Sequence, residues 1–252
     1  MNLFDLTGKK AIVTGGAAGL ACGVAEGLMQ AGAEVVIIDI SQQTEKVAQD
    51  FCASGYKAHG VQANLGNRED LEAAFNTAVQ KLGGTLDILV PAAGIQRRYK
   101  SEEFPMKDWD DVININLSAV FHLCQLAGRV MLKQGSGKII NFASMLAYFG
   151  GYTVPAYAAS KGGVAQLTKA LSNEWAGKGI NVNAIAPGYM ATSMNTGILE
   201  DEQRNASITA RIPMGRWGTP DDLKGVVVFL SSAASNYLSG AVIPVDGGYL
   251  GC

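Results

Sequence analysis

The chain has 252 residues, with 20 Lys and Arg against 22 Asp and Glu, a formal charge of -2, 48% apolar residues and 31 glycines. A length near 250 is enough for one α/β domain with a sizeable core, and the balanced charge excludes the clustered basic footprint that nucleic-acid binding requires, so a small-molecule partner is expected. Glycine at about 12% exceeds the ~7% average without a collagen-like period, which means that backbone comes close to something in several places.

The chain opens MNLFDLTGKK, with no charged n-region leading into an apolar h-region. Cys22, Cys52, Cys124 and Cys252 show neither CxxC nor zinc-like spacing. A reduced, cytoplasmic setting without a metal is expected. No run approaches 18 uninterrupted apolar residues, so no membrane partner is expected either. Short β-branched runs predict strands at 10–14, 34–39, 57–62, 86–90, 138–142, 180–185 and 241–245. Helix-period segments at 19–31, 41–54, 67–82, 108–133, 155–178 and 219–232 separate them, two opening on the start signals Asn67-Arg68-Glu69-Asp70 and Thr219-Pro220-Asp221-Asp222. This alternation predicts an α/β fold: a single domain over 1–252, with a doubly wound parallel sheet of seven strands and helices on both faces. The polar, weakly patterned stretch 188–218 interrupts it, and a long excursion in a compact domain is usually functional.

After the first strand the chain reads Thr14-Gly15-Gly16-Ala17-Ala18-Gly19-Leu20-Ala21 and runs directly into a helix. Glycines there allow a tight turn and close approach to a pyrophosphate, while a helix N-terminus supplies N–H donors and partial positive charge. By itself the cluster also fits a plain strand-to-helix turn. Asp39, ending the second strand about 20 residues on, favours a dinucleotide of the Rossmann type, since its carboxylate accepts both ribose hydroxyls of an adenosine. A 2'-phosphate about 4 Å from that carboxylate would be repelled by roughly 4 kcal/mol per unit charge at an effective dielectric of about 20. Neighbouring Ile40, Ser41 and Cys22 offer no compensating cation. NAD is therefore expected over NADP.

Tyr157 and Lys161 are one helical turn apart and project from one face, a spacing that an exposed amphipathic turn also shows. Ser144 follows the 138–142 strand at the C-terminal sheet edge, where ligands of open α/β folds bind. A tyrosine titrates near 10, and a neighbouring ammonium favours the phenolate, bringing it toward a general acid-base range. Tyr157 is thus expected to exchange a proton with a substrate oxygen that Ser144 holds, with Lys161 also available to a nicotinamide ribose.

On these residues the chain resembles the short-chain dehydrogenase/reductase family, in its non-metal, single-domain form, over nearly its whole length. Thr14, Gly15, Gly19, Asp39, Asn116, Ser144, Tyr157, Lys161, Pro187, Gly188 and Thr192 stand in the family's order. The resemblance implies NAD-dependent interconversion of a secondary alcohol and a ketone by a Ser144, Tyr157, Lys161 and Asn116 tetrad. Asn116, otherwise readable as a satisfied helix amide, would bend its helix and hold a water that relays protons to Lys161. The implied cofactor set is Gly15, Gly19, Leu20, Asp39, Ile40, Asn64, Leu65, Ala93, Gly94, Tyr157, Lys161, Pro187, Gly188, Met190 and Thr192, with Gly16 also at the pyrophosphate. A homotetramer paired through the helices near 108–133 and 155–178 is implied as well. Three positions depart from the family. Ala21 replaces a third glycine, Pro91-Ala92-Ala93-Gly94 lacks the side-chain amides that steady the loop after the fourth strand, and Asn64 replaces the acidic residue that meets the adenine amine.

The loop after Gly94 reads Ile95-Gln96-Arg97-Arg98-Tyr99. Two adjacent arginines beside a reaction centre suit a carboxylate, which a guanidinium binds bidentately; a solvated basic turn or a subunit contact is the other reading. Gln96, Arg97, Arg98, Ser144, Tyr148, Tyr157 and Tyr189 form the expected substrate set, covered by a lid over about 189–217. The runs from Asn141 to Ala147, Asn173 to Ala176, Ala186 to Thr192 and Arg211 to Gly218 resemble, within the family, dehydrogenases of 2-dehydro-3-deoxy-D-gluconate, 2-deoxygluconate and gluconate. The expected substrate is accordingly a deoxy-hexonate-like sugar acid. Gluconate 5-dehydrogenation and reduction of 3-oxoacyl thioesters are the alternatives, and a non-catalytic NAD-sensing protein on the same fold is the alternative from another class.

Overall fold

The computed structural model of the chain describes residues 3–252. Runs such as Val35-Val36-Ile37-Ile38, fully buried, are what a parallel sheet covered on both faces requires, because neither face of such a strand meets water. Seven strands form, β1 (Lys10–Thr14), β2 (Glu34–Asp39), β3 (Ala58–Gln62), β4 (Ile88–Pro91), β5 (Gly137–Phe142), β6 (Ile180–Pro187) and β7 (Val242–Val245). All pair in parallel, in the order β3-β2-β1-β4-β5-β6-β7. Each expected strand is present, with ends displaced by no more than two residues.

The helices are α1 (Gly19–Gln30), α2 (Thr44–Ala53), α3 (Arg68–Lys81), α4 (Met106–Ile113), α5 (Ala119–Gln134), α6 (Leu146–Phe149), α7 (Pro155–Trp175), α8 (Thr196–Leu199), α9 (Glu202–Thr209) and α10 (Asp221–Ser231). Alternate strand residues feed two cores. Val36 and Ile38 of β2 join Phe75 of α3, Leu123 of α5 and Val164 of α7, whereas Val35 and Ile37 join Val24 of α1 and Val227 of α10. The sheet is thus the middle of three layers.

The sequence predicts one helix over 108–133. The structure has α4 and α5 joined by a π-turn at Asn114–Ser118. Met106–Gln134 is long and apolar enough to cross a membrane, but Val112, Leu123, Cys124, Ala127 and Met131 are buried in the fold, as in a core helix. The 188–218 excursion is helical where the sequence pattern is weak, because α8 and α9 have only 4 and 8 residues. Its base is closed by Ala191 N–H to Gly218 O (2.8 Å) and Gly218 N–H to Tyr189 O (2.9 Å). Its underside packs as a separate apolar cluster of Met145, Ile198, Ile212, Trp217 and Tyr249.

Candidate active site

Parallel strands put all their C-terminal ends at one sheet edge, and there a cleft of about 370 Å³ opens over β1, β2, β4, β5 and β6. The turn from β1 into α1 forms one wall. Gly15 has φ +73°, and a Cβ on it would lie 2.8 Å from Ala93 Cα, so only glycine lets the turn and the loop after β4 approach this closely. Gly16 does otherwise than the sequence reading expects: a Cβ there would meet Ile37 Cγ2 at 2.8 Å, so its smallness serves packing on β2, and it does not line the cleft. α1 begins at Gly19 after Ala18, with no side-chain cap and no acidic residue in its first turn. Its first N–H groups are left for an anion. α3 differs, because Asn67 Oδ1 accepts from Glu69 N–H and Asp70 N–H.

Asp39 closes the adenosine end. Its Oδ2 accepts Ala17 N–H and its Oδ1 accepts Ser41 N–H, both at 3.0 Å. The carboxylate therefore ties the phosphate turn to the end of β2, and each oxygen keeps a lone pair for a ribose hydroxyl. Asn64 Oδ1 accepts Gly66 N–H at 3.0 Å, again leaving acceptor capacity. Leu20, Ile40, Leu65, Ala93, Gly94, Pro187, Gly188, Met190 and Thr192 line the same cleft. At Gly188 a Cβ would lie 2.6 Å from Asp246 Cα. The donor set and the glycine-lined cradle fit a dinucleotide laid from Asp39 to Thr192.

Ser144, Tyr157 and Lys161 meet at the far end. Ser144 comes from the end of β5; its Oγ accepts Leu146 N–H at 3.1 Å, which leaves its own proton to donate. Tyr157 and Lys161 come from α7, which starts on Pro155 in its first turn. The Tyr157 hydroxyl is hydrogen-bonded with Ser144, a bond that favours the phenolate, yet burial dominates and pushes the phenol above its usual range. This corrects the expectation that Lys161 draws it down. The Lys161 ammonium lies 5.5 Å from the Tyr157 ring centroid and donates to Phe142 O at 2.7 Å, so one of its three N–H donors is held by the end of β5. Burial lowers Lys161 itself to about 8.

Asn116 stands in the π-turn, fully buried. Its Oδ1 accepts Ile95 N–H (2.8 Å), and its Nδ2 donates to Ile95 O (2.9 Å) and Ser160 Oγ (3.3 Å). A π-turn runs through this residue, and the amide clamps the loop after β4 onto α7. With Thr14 Oγ1 accepting Ala93 N–H at 3.2 Å, this supplies the steadying that Pro91 and Ala92 cannot.

The substrate set is only partly brought together. Arg97 is turned to α4, with its Nε 3.7 Å from Asp108 Oδ1. For Arg98, burial and the Arg204 charge pull the guanidinium below the usual value. Gln96 Oε1 accepts from Arg98 at 3.3 Å. Tyr148 is a correction: its hydroxyl donates to Val242 O at 2.9 Å and its ring lines a cavity against α7, away from the cleft. Tyr189 packs edge-on against Trp217 and Tyr249 under the excursion. Ala63, Ile95, Ile115 and Met194 also line the cleft, and the sequence reading passes over them because small and apolar side chains carry no chemical signature; Asn195 lines it too, from the weakly patterned excursion.

A family profile described as enoyl-(acyl carrier protein) reductase matches residues 15–250. The chain is 49% identical over 251 residues to the 2-dehydro-3-deoxy-D-gluconate 5-dehydrogenase of Escherichia coli strain K12, spanning 99% of this chain and 98% of that one. It is 45% identical over 249 residues to the enzyme of the same name from Bacillus subtilis strain 168, spanning 99% and 97%. The crystal structure of a gluconate 5-dehydrogenase from Burkholderia cenocepacia J2315, in complex with NADP and tartrate, matches with a TM-score of 0.96 at 36% identity, covering 100% of this chain and 98% of that one. Sequence, fold and cleft agree, and the chain belongs to the short-chain dehydrogenase/reductase family of oxidoreductases.

Proposed function

We propose that the protein is an NAD-dependent dehydrogenase that interconverts a secondary alcohol and a ketone on an open-chain sugar acid, with 2-dehydro-3-deoxy-D-gluconate oxidised at C5 as the reaction. The observation that carries this is the convergence of Ser144, Tyr157 and Lys161 at the end of a dinucleotide-shaped cleft. The names of the E. coli and B. subtilis relatives support the substrate.

In this reading Ser144 Oγ donates to the reacting oxygen, and the Tyr157 hydroxyl takes its proton on oxidation or returns it on reduction, a contribution of about 10²–10⁴ in rate. Lys161 has three N–H donors, of which Phe142 O takes one; the others serve the nicotinamide ribose and the Tyr157 oxygen. Asn116 holds Ile95, and through it the loop that carries Gln96 and Arg98. When bound, the nicotinamide ring accepts or gives the hydride at the substrate carbon. Residues 189–217 act as the lid that keeps water from this step. The cofactor preference rests on Asp39. Lys224, whose charge reaches this corner beside Cys22, is held by Glu26 at 2.8 Å and Asp221 at 2.7 Å, so no free cation there answers a 2'-phosphate. Exposed Phe121 and Leu132 on α5 support assembly with further copies of the chain.

The test is a rate comparison across sugar acids, neutral ketones and 3-oxoacyl thioesters, each with NAD(H) and NADP(H). The proposal predicts sugar acids with NAD(H) as the best pair, and Asp39→Asn raising kcat/KM for NADP at least tenfold relative to NAD. Preference for NADPH and a thioester would instead favour reduction of 3-oxoacyl thioesters.

A further inference from the structure

The reacting groups come from two elements whose mutual register no covalent bond fixes. Ser144 and the Phe142 carbonyl lie at the end of β5, and Tyr157 and Lys161 lie on α7. Apolar contacts across this layer, such as Val164 of α7 in the cluster that holds Ile139 of β5, are non-directional and do not by themselves set where α7 stops along the strand. Among the described residues, two hydrogen bonds join β5 directly to α7. One is Lys161 Nζ–H to Phe142 O at 2.7 Å. The other is Asn141 Nδ2–H to Thr168 Oγ1 at 2.9 Å. Asn141 immediately precedes Phe142, and Thr168 stands about two turns beyond Lys161 on the same stripe of α7.

Asn141, Thr168 and Cys124 of α5 are all fully buried. Thr168 donates its own proton to Val164 O at 2.8 Å, so its oxygen acts as the acceptor toward Asn141. Cys124 Sγ–H donates to Asn141 Oδ1 at 3.4 Å, and burial pushes the thiol up to about 12, which keeps it a donor. The Asn141 amide is thereby turned one way round, with its NH2 on α7. A buried amide in an apolar layer carries a desolvation penalty that an aliphatic side chain would not. What it supplies in return is direction, because its bond to Thr168 is made at one setting of α7 on β5 and is lost a helical turn (about 5.4 Å) away.

We propose that Thr168 is a positioning residue: through Asn141 it sets the register of α7 on β5, and with it the placement of Tyr157 and Lys161 against Ser144 and Phe142 O. Neither Thr168 nor Asn141 lines the cleft, so the pair acts on the reacting groups from behind the strand. This role rests on the Ser144, Tyr157 and Lys161 chemistry proposed above and is independent of which substrate is turned over.

The test measures kcat, KM and the dissociation constant of NAD for Thr168→Val, Thr168→Ser and the double variant Asn141→Leu with Thr168→Val, on whichever sugar acid, ketone or thioester the wild type turns over. Thr168→Val keeps the shape and loses the hydroxyl; kcat is expected to fall about ten- to hundredfold with KM and NAD affinity within about threefold, since a small misplacement of reacting groups costs rate more than binding. Thr168→Ser keeps the oxygen and should hold kcat within about threefold of the wild type. The double variant removes both polar partners, so its thermal midpoint should recover toward the wild type, while kcat stays as low as in Thr168→Val. A kcat that recovers with the thermal midpoint, or that is unmoved in Thr168→Val, would make Asn141 and Thr168 a purely structural pair and overturn the role. These outcomes are read equally well if the substrate proves to be a ketone or thioester and the sugar-acid reading fails. A wild type that turns over none of the three classes overturns both.

Discussion

Lys161 shows how far burial can move a group whose type and spacing are plain in the sequence. Below pH 8 the ammonium is charged in both the folded and unfolded chain, and burial of that charge opposes folding in full. Between about 8 and the ordinary value of 10.5 the unfolded chain keeps the proton and the folded one does not, so stability rises with pH in that window. Lys161→Met lacks this dependence. Urea unfolding of the cofactor-free proteins should show the wild type gaining about 1 kcal/mol on the variant between pH 8 and 9; a pH-independent difference would contradict the burial of a titrating amine. That Ser144, Tyr157 and Lys161 line one cleft was legible at this scale because their side chains carry chemistry, whereas Asn116 was singled out only by the family resemblance. What could not be read was direction, since only the structure shows Arg97 turned to Asp108. Tyr148 likewise looks like a site residue until its hydroxyl is found on Val242 O.

At the scale of elements, strands and long helices follow from periodicity, and the exceptions have physical causes. The π-turn at Asn114–Ser118 leaves no mark in the apolar pattern, because the helix continues on both sides of it. α8 and α9 are too short for periodicity to show, and α9 is held by side-chain hydrogen bonds from Trp217 instead of by its own length. Trp217→Phe keeps the aromatic packing on Tyr189 and removes both hydrogen bonds to α9. Hydrogen exchange of the α9 amides should accelerate by about an order of magnitude, the equivalent of one or two net hydrogen bonds, while β1, β2 and β5 stay protected. Equal protection of α9 in both proteins would mean that something other than Trp217 holds the helix.

Across the whole molecule, residues from 15 to 195 are gathered at one sheet edge by the strand order. β1 lies between β2 and β4, and the cleft opens where the winding reverses, as in other open α/β sheets. That order was not readable from the chain by itself, because strands buried on both faces are interchangeable apolar runs. The order is seen only in the structure. The net charge of -2 conveys nothing of the distribution beneath it: a carboxylate at one end of the cleft and a buried ammonium at the other. The most direct measurement is the initial rate of NADH formation from 2-dehydro-3-deoxy-D-gluconate, with the product identified, for the wild type and Tyr157→Phe. A C5 ketone formed by the wild type, and a rate lowered at least a hundredfold by Tyr157→Phe with NAD still bound, is the predicted result. No turnover of the acid by the wild type, or turnover that survives loss of the Tyr157 hydroxyl, would contradict it.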